Sequence, residues 1–309
     1  MRVLVTGGAG FIGSHIVELL LAQGHQIIVI DNLSTGVRSR LSPEVQLIER
    51  DIRDPELVNL FRSLRPEAVI HQAAQVDVAR SMTEPLSDGS VNVMGTLNVA
   101  DAAVKSGARK IIFASSCAVY GETAEDKIAE THPIQPISLY GASKWLGEWY
   151  LDWYSRHYSI DVSVLRYSNV YGPRQGVKGE GGVVSIFARQ LLSGASPVIY
   201  GDGRQTRDFV FVEDVAAANV RALTEGSRSI CNISTGQTTT IQQLCEQLQE
   251  ITAVRLPILY QEERHGDIRH SCLNNQKALE LLRWRPLTSL REGLKKTVAF
   301  FSAGGGKQE

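Results

Sequence analysis

Cysteine is scarce in this chain. Only four of its 309 residues are cysteines, Cys117, Cys231, Cys245 and Cys272, and no two of them form a Cys-x-x-Cys motif. No histidine stands at a metal-ligand spacing from any of them, so we expect no metal site. Isolated cysteines of this kind are typical of a protein that keeps its thiols reduced, which favours a cytoplasmic location.

Long apolar runs and charge of one sign are missing as well. No stretch reaches the roughly 18 apolar residues that a membrane-spanning helix needs. The apolar segment 1–6 is too short for a secretory signal. The net charge is −1, with acidic and basic residues mixed along the chain. Such a balance gives no general attraction to nucleic acids or acidic membranes, so we expect neither as a partner.

What the sequence does contain is a regular alternation of strand and helix patterns. Short apolar runs at 2–6, 26–30, 45–48, 68–71, 110–115 and 162–167 predict buried strands, and helical patterns at 11–23, at 91–106 and after 140 lie among them. This alternation predicts an α/β fold with a doubly wound parallel sheet.

A glycine-rich turn, Thr-Gly-Gly-Ala-Gly-Phe-Ile-Gly at 6–13, follows the first predicted strand and opens the first helix. Glycines let the backbone approach a pyrophosphate closely, and the helix N-terminus offers its N–H groups. Asp31 ends the second strand, where a carboxylate binds both ribose hydroxyls and repels a 2′-phosphate, so we predict NAD. The predicted contacts are Gly7, Gly10, Phe11, Ile12, Gly13 and Asp31, with Asn32, Ser34, Thr35 and Gly36 in the loop that follows.

The chain divides into two predicted regions. Residues 1–170 are assigned to an NAD-binding Rossmann domain that also carries the catalytic side chains. Beyond residue 171 the segments shorten, and Gly and Arg become frequent. We therefore assign 171–309 mainly to a smaller C-terminal α/β region that binds substrate, and we expect the chain to cross between the two lobes.

Tyr140 and Lys144 occur in the segment Tyr-Gly-Ala-Ser-Lys, so their spacing places them on one helix face. A free tyrosine has a pKa of about 10, and lowering it to near 7 requires roughly 4 kcal/mol of preferential phenolate stabilisation. A neighbouring ammonium and a positive nicotinamide ring can supply it. Tyr140 is therefore predicted to exchange a proton with a substrate hydroxyl.

These motifs resemble the extended short-chain dehydrogenase/reductase superfamily, in which glycines spaced three apart open the same helix. The resemblance implies that Tyr140 and Lys144 also touch the cofactor. It further implies cofactor contacts at Asp51, Ile52, Ala73, Ala74, Gln75 and Asn92. Counting back four residues from Tyr120 in the Val-Tyr-Gly segment identifies Ser116 as the catalytic hydroxyl. Ser115 is its neighbouring competitor.

Nearly the whole chain is similar to the UDP-galactose 4-epimerase family, through segments that include 166–174, 198–203, 206–209 and 264–267. Arg207 and Arg264 match two arginines on the substrate diphosphate, and Tyr200 matches an aromatic residue beside the uracil. The resemblance implies a substrate site of Ser116, Asn169, Val183, Val198, Tyr200, Arg207, Arg264, Asp267 and Ser271. One departure is Ser168, where enteric-type 4-epimerases carry phenylalanine.

The resemblance implies 4-epimerisation. Tyr140 removes the proton of the sugar 4-hydroxyl while hydride passes from C4 to NAD, and return of hydride to the other face of the 4-keto sugar inverts C4. UDP-glucose and UDP-galactose are the expected pair, with UDP-N-acetylglucosamine and UDP-glucuronate as alternatives. Family members restricted to plain hexoses tend to carry tyrosine where this chain has Ser271, which predicts room for an N-acetyl group.

Other readings remain at this point. Sugar-nucleotide dehydratases and glucuronate decarboxylases carry a carboxylate where this chain has Cys117 and Ala118. Enzymes similar to GDP-fucose synthase use a cysteine two residues before the tyrosine of the Val-Tyr-Gly segment, whereas Cys117 lies three residues before Tyr120. We therefore interpret Cys117 as a small core residue. A non-catalytic NAD-binding sensor is the alternative from another class, although such proteins typically lack the Tyr or the Lys.

Trp145, Trp149 and Trp153 recur every four residues along the catalytic helix. One face of this helix is committed to the active site and another must cover the sheet. A third face rich in aromatics suits a partner surface. The resemblance implies a homodimer through helices 91–106 and 140–157.

Overall fold

Seven parallel strands form the centre of the molecule in the computed structural model, which describes residues 1–123, 125–176, 182–263 and 268–305. Six further strands of the described residues form three two-stranded sheets. In chain order the thirteen strands are β1 Arg2–Thr6, β2 Gln26–Asp31, β3 Gln46–Glu49, β4 Ala68–His71, β5 Lys110–Ser116, β6 Asp161–Tyr167, β7 Asn169–Tyr171, β8 Val198–Tyr200, β9 Thr206–Arg207, β10 Phe209–Phe211, β11 Ser229–Ile233, β12 Thr239–Thr240 and β13 Leu259–Gln261.

Helices alternate with these strands. They are α1 Phe11–Ala22, α2 Leu57–Leu64, α3 Val78–Thr83, α4 Pro85–Gly89, α5 Thr96–Ser106, α6 Leu139–His157, α7 Val183–Leu192, α8 Val212–Arg221, α9 Ile241–Thr252, α10 Gln276–Leu282 and α11 Leu290–Ser302. Among the helices of the described segments, none is long and apolar enough to cross a membrane.

The central sheet has the order β3-β2-β1-β4-β5-β6-β11. The order reverses between β1 and β4, and ligands of doubly wound sheets bind at that point, beside the carboxyl ends of the strands. The predicted fold class is confirmed. The glycine turn after β1 and the segment after β4 therefore meet at the same edge of the sheet.

Alternate side chains of each central strand enter opposite layers of the core. Val3 and Val5 pack in the layer that contains α1 and α8, whereas Leu4 packs in the layer beneath α2, α5 and α6. All three side chains are fully buried. Burial on both faces explains why these strands read as continuous apolar runs in the sequence.

The helical stretch before β5 is longer than predicted. It begins at Pro85, because proline fits the first helical position, where no N–H is needed. Between α4 and α5 the chain forms a π-helical segment, Ser90–Gly95. Such segments often occur at functional sites. Here the segment carries Asn92, one of the predicted cofactor contacts.

The chain returns to the central sheet after it has started the C-terminal lobe. Helix α8 packs on α1, and β11 pairs with β6 in parallel register. A separate apolar cluster lies beneath α7, α9 and α11. The division at residue 170 stays a prediction. One strand of the central sheet, β11, comes from the part of the chain after residue 170.

Candidate active site

The glycine turn is shaped by close backbone contacts. Gly7 has a φ of 68°, in the left-handed region that favours glycine. A Cβ atom on Gly13 would lie 2.1 Å from the Gly7 carbonyl oxygen, so no larger residue lets α1 approach this turn. The N-terminus of α1 therefore stands directly behind the turn, as pyrophosphate binding requires.

Asp31 is held in place at the wall of the predicted cofactor site. Its Oδ2 accepts a hydrogen bond from the Ala9 N–H at 2.9 Å, and its Oδ1 accepts one from the Leu33 N–H at 2.8 Å. Burial raises the pKa of this carboxyl group, although the two backbone hydrogen bonds oppose that rise. Each carboxylate oxygen keeps lone pairs for further donors, such as ribose hydroxyls.

A cavity of about 460 Å³ opens in front of these groups. The predicted residues that line it are Gly7, Gly10, Asp31, Asn32, Ser34, Thr35, Asp51, Ile52, Ala73, Ala74 and Gln75. The glycine cradle and the fixed carboxylate fit a dinucleotide. Phe11, Ile12, Gly13, Gly36, Asn92, Tyr140 and Lys144 do not line this cavity. The cofactor contacts of both groups of residues stay predictions.

Arg53 also lines the cavity and was missed by the sequence analysis. It forms a two-pronged ion pair with Asp51, with Nε–Oδ1 and Nη2–Oδ2 distances of 2.8 Å. The side-chain hydrogen bond from Arg53 holds the pKa of Asp51 well below its usual range. Asn32 donates to the same carboxylate at 2.9 Å. This network holds Asp51 and Arg53 together at the predicted adenine end of the cavity.

His71, at the end of β4, links the glycine turn to the helical stretch. Thr96 Oγ1 donates to the Asn92 carbonyl at 2.6 Å, so it accepts from His71 Nε2 at 3.1 Å. His71 Nδ1 then accepts from the Thr6 hydroxyl at 2.7 Å. Burial, assisted by the charge of Lys144, lowers the pKa of His71 to about 3. The imidazole is therefore neutral, as both of its hydrogen bonds require.

Tyr140 and Lys144 lie on one face of α6, as predicted. Ser138 caps the helix by accepting a hydrogen bond from the Gly141 N–H at 3.1 Å. The Lys144 ammonium lies 5.9 Å from the centre of the Tyr140 ring and donates to the Ala114 carbonyl at 2.9 Å. This last bond ties the catalytic helix to β5, the strand that ends at Ser116.

Burial dominates the electrostatics of Lys144. It lowers the pKa of the ammonium to about 8, while the carboxylates of Asp88 and Glu148 act in the opposite direction. Glu148 is itself paired: it accepts from Arg166 Nε at 2.9 Å and from Nη2 at 2.6 Å, and also from the Ser115 hydroxyl. Lys144 is thus a cation near neutrality that loses its proton at mildly alkaline pH.

The two adjacent serines have different surroundings. Ser115 is buried and bound to Glu148. Ser116 is half-buried, ends β5, and accepts a hydrogen bond from the Ala118 N–H at 3.2 Å. A Cβ on Gly141 would lie 2.4 Å from the Ala118 carbonyl oxygen, so glycine lets the first turn of α6 touch the Ser116 turn. This packing brings the turn at Ser116 against the first turn of α6, and the catalytic role of Ser116 stays a prediction.

Cys117 lies where the end of β5 meets residues of the C-terminal lobe. Burial raises the pKa of its thiol, and the charge of Arg207 together with hydrogen bonds to Ser116 and Ser271 opposes that rise. Three predicted substrate residues, one from β5, one from β9 and one from the loop after residue 268, therefore surround a single thiol. The thiol stays protonated near neutral pH, which suits packing better than acid–base chemistry.

Asp208 is a second residue that the sequence analysis missed. It is fully buried beside Arg207, and it accepts hydrogen bonds from Thr235, from Gly236 and from the Leu273 N–H. These donors come from two loops that are far apart in the chain. The carboxylate therefore positions the strand that carries Arg207 against the loop that carries Ser271.

The remaining substrate candidates border the C-terminal lobe. Asn169 begins β7, Val183 begins α7, and Val198 and Tyr200 lie on β8, all half-buried. Ser168 precedes Asn169; its hydroxyl is buried and has no hydrogen-bond partner within the described segments. Arg264 and Asp267 lie outside the described residues. These substrate contacts stay predictions.

The parallel sheet, the glycine turn with Asp31 and the Tyr140–Lys144 pair define an NAD-dependent enzyme of the extended short-chain dehydrogenase/reductase type. Residues 3–234 match the NAD dependent epimerase/dehydratase family, and the chain belongs to that family. It is 42% identical to the UDP-glucose 4-epimerase of Mycolicibacterium smegmatis over 308 residues, which cover 97% of this chain and 98% of the relative.

Solved structures agree with this assignment. The UDP-glucose 4-epimerase of Thermotoga maritima with UDP-glucose has a TM-score of 0.96 and 44% identity, covering 98% of this chain and 99% of its own. The Thermus thermophilus UDP-glucose 4-epimerase with NAD has a TM-score of 0.93 and 42% identity, covering 97% and 99%. The UDP-N-acetylglucosamine 4-epimerase of Methanobrevibacter ruminantium with UDP-N-acetylmuramic acid has a TM-score of 0.94 and 35% identity, covering 98% of both chains. The prediction of an NAD-dependent epimerase is confirmed.

We expect Asp31 to make the protein bind NAD far more tightly than NADP, because its fixed carboxylate repels a 2′-phosphate. Asp31→Asn should narrow that difference, since it removes the charge. Calorimetric titration of cofactor-free protein with each nucleotide measures both affinities. Glu250→Gln, which removes an exposed carboxylate paired with Arg291, is the matched control. Equal affinities in the unaltered protein would show that Asp31 does not face the ribose.

Proposed function

We propose that this protein is a UDP-sugar 4-epimerase that interconverts UDP-glucose and UDP-galactose. The observation that carries the proposal is the placement of Tyr140 beside a buried ammonium, where α6 meets the end of β5 at Ser116. The relatives named above add support, because two of the solved structures carry the name UDP-glucose 4-epimerase. With free thiols at all four cysteines, a cytoplasmic location belongs to the same proposal.

Bound NAD supplies the reversible two-electron oxidation of the sugar carbon. The glycine turn would hold its pyrophosphate, Asp31 its ribose, and the Asp51–Arg53 pair its adenine end. These groups come from rigid strand ends and from a helix start, so the cofactor site needs little rearrangement on binding. Low reorganisation favours tight, lasting retention of a cofactor that is unchanged after each full turnover.

Tyr140 is the group that accepts and returns the proton. Its phenolate oxygen takes the proton of the sugar 4-hydroxyl during oxidation of C4 and returns it when C4 is reduced. The Lys144 ammonium favours the phenolate form by direct charge attraction in a buried site. Ser116 would donate a hydrogen bond to the same sugar oxygen, which steadies the 4-hydroxyl in the ground state and the carbonyl after oxidation.

Arg207 would bind the substrate diphosphate. A planar guanidinium forms paired hydrogen bonds with phosphate oxygens. Asp208 positions β9, the strand that carries Arg207. Arg207 would therefore hold the diphosphate in place while the sugar rotates to present its other face. Inversion requires that rotation, since oxidation and reduction occur on opposite faces of the same carbon.

The competing reactions lack their acid–base groups here. Elimination of water or of carbon dioxide would need a carboxylate at Cys117 or Ala118. A cysteine acting as acid and base would need a thiol that ionises readily, whereas burial raises the pKa of Cys117. The non-catalytic sensor is disfavoured because Tyr140 and Lys144 are both present and lie on one helix face.

The direct test of the proposal is an assay with each UDP-sugar in turn, followed by separation of the C4 epimers. UDP-glucose and UDP-galactose should interconvert without added reductant. Epimerisation of UDP-N-acetylglucosamine or of UDP-glucuronate alone would assign the protein to one of the alternative substrates. Tightly bound NAD without turnover of any UDP-sugar would favour the sensor.

Tyr140→Phe should abolish the proton transfer while leaving NAD and UDP binding nearly unchanged. General bases contribute about 10²–10⁴-fold to rate, so we expect less than roughly a tenth of the original turnover. Steady-state kinetics and nucleotide titration measure the two properties separately. Tyr158→Phe, at the exposed end of the same helix, is the control. A Tyr140→Phe variant with substantial turnover would remove Tyr140 from this role.

We expect activity toward N-acetylated as well as plain UDP-hexoses, because Ser271 leaves space where tyrosine would fill the sugar pocket. Ser271 is buried and contacts Cys117, next to Ser116. Ser271→Tyr should suppress turnover of UDP-N-acetylglucosamine and spare UDP-glucose, as paired assays would measure. A wild type without N-acetyl activity, or a variant that loses both substrates equally, would show that another side chain forms this wall.

The protein is expected to form a homodimer through the aromatic face of α6. Trp145, Trp149 and Trp153 are 38%, 48% and 37% exposed, and Met94 on the neighbouring helical stretch is 60% exposed. Such clustered apolar surface is unusual for a monomer. Sedimentation at micromolar concentration should give a dimer, and Trp149→Glu should shift it toward monomer. Leu287→Glu, at an exposed apolar site on the other lobe, should leave the dimer intact.

A further inference from the structure

A buried carboxylate, Asp88 on α4, lies beside the catalytic pair without a cation of its own. It is 2% exposed. Its Oδ1 accepts hydrogen bonds from Gln75 Nε2 at 2.9 Å and from Asn92 Nδ2 at 3.0 Å. None of the ion pairs formed between described residues involves Asp88. An ionised carboxylate in such a place needs positive charge nearby to offset its lost hydration.

We identify Lys144 as the cation whose charge offsets that of Asp88. The Asn92 Nδ2 atom that contacts Asp88 also lies 3.1 Å from the Ser143 hydroxyl and 2.9 Å from the Gln75 carbonyl, so its two hydrogens are shared among three acceptors. Ser143 directly precedes Lys144 on α6, and α4 packs against this helix. Asp88 therefore faces the catalytic helix across a single amide group.

Other charged and titratable groups around Lys144 are already committed. Glu148, on the same helix, is neutralised by two hydrogen bonds from Arg166 on β6. His71, on β4, is neutral because one ring nitrogen accepts a hydrogen bond from a threonine hydroxyl and the other donates one to a second threonine hydroxyl. Tyr140, on α6, is the group whose ionisation Lys144 supports. Asp88 is thus the negative charge in this neighbourhood that no described cation neutralises.

We propose that Asp88 is a positioning residue that keeps the Lys144 ammonium charged inside the protein and thereby extends the activity of the Tyr140–Lys144 pair to higher pH. The inference rests on the proposed function only for the role of Lys144 in catalysis. The closeness of Asp88 to the helix that carries Lys144 is given by the burial of Asp88, by the packing of α4 against α6 and by the Asp88–Asn92–Ser143 contacts. The effect of the Asp88 charge on the pKa of Lys144 supports the relation between the two side chains.

The direction of the effect follows from burial. A buried ammonium loses its proton more easily, and a nearby carboxylate opposes that loss. Of the two carboxylates that raise the pKa of Lys144, Asp88 has the larger effect and Glu148 the smaller. Without the charge of Asp88, the pKa of Lys144 should fall further below its value of about 8. Less of the enzyme would then hold a charged lysine at neutral pH.

The test is an Asp88→Asn variant, because its amide carbonyl can keep both hydrogen bonds at Oδ1 while the charge is removed. The protonation midpoint of Lys144 is read by NMR from its ¹³Cε resonance in lysine-labelled protein, assigned by its loss in Lys144→Met. Glu250→Gln, which removes an exposed charge on α9, is the matched control. Asp88→Ser is the second charge-free variant if the asparagine protein does not fold.

We expect the midpoint to fall by about one pH unit in the Asp88 variant, the order of shift that follows removal of an adjacent opposite charge, and to stay unchanged in the control. The loss of kcat/KM should then be larger above neutral pH than below it. A merely structural role would lower activity equally at all pH values. An unchanged or raised Lys144 midpoint in a folded Asp88 variant would overturn the inference. A lowered midpoint in a protein that turns over no UDP-sugar would instead overturn the proposed function and leave this inference standing.

Discussion

The proposed chemistry of this protein depends on the burial of one ammonium group. Lys144 is 4% exposed and is held by the Ala114 carbonyl, so the protein must supply what water no longer provides. Its charge is useful because it lies beside Tyr140, where it favours a phenolate that free tyrosine reaches only near pH 10. The same burial lowers the pKa of Lys144 itself, so in the proposed mechanism the pair is active only within a limited range of pH.

Cofactor wall and catalytic helix form one connected unit around this group. Asn92 accepts a hydrogen bond from the Gln75 N–H, and its amide nitrogen lies within hydrogen-bond distance of the Gln75 carbonyl, of Asp88 and of Ser143. These contacts join the segment after β4 to α6. His71 connects the start of the glycine turn to the same helical stretch. The proposed cofactor wall and the helix that carries Tyr140 are therefore joined by hydrogen bonds.

The sequence alone predicted features that depend on neighbours along the chain. Each of these features can be recognised from a few consecutive residues: the glycine turn, the end of β2 at Asp31, and the four-residue spacing of Tyr140 and Lys144. Asp88, Asp208 and Arg53 were missed because their surroundings form only after folding. The strand Ser229–Ile233 was missed for the same reason, since it completes a sheet whose other strands end at residue 167. The choice of Ser116 over Ser115 rests on family resemblance, and the structure adds that Ser115 is buried while Ser116 is half-buried.

The pH dependence of kcat/KM for UDP-sugar epimerisation by the unaltered enzyme tests this account most directly. In the proposed mechanism catalysis needs the protonated form of Lys144, which predominates below the pKa of about 8 and is lost as pH rises through it. The account predicts an alkaline fall in kcat/KM with a midpoint near that value, while NAD remains bound. A profile that stays flat up to the usual lysine range, about 10.4, would contradict it.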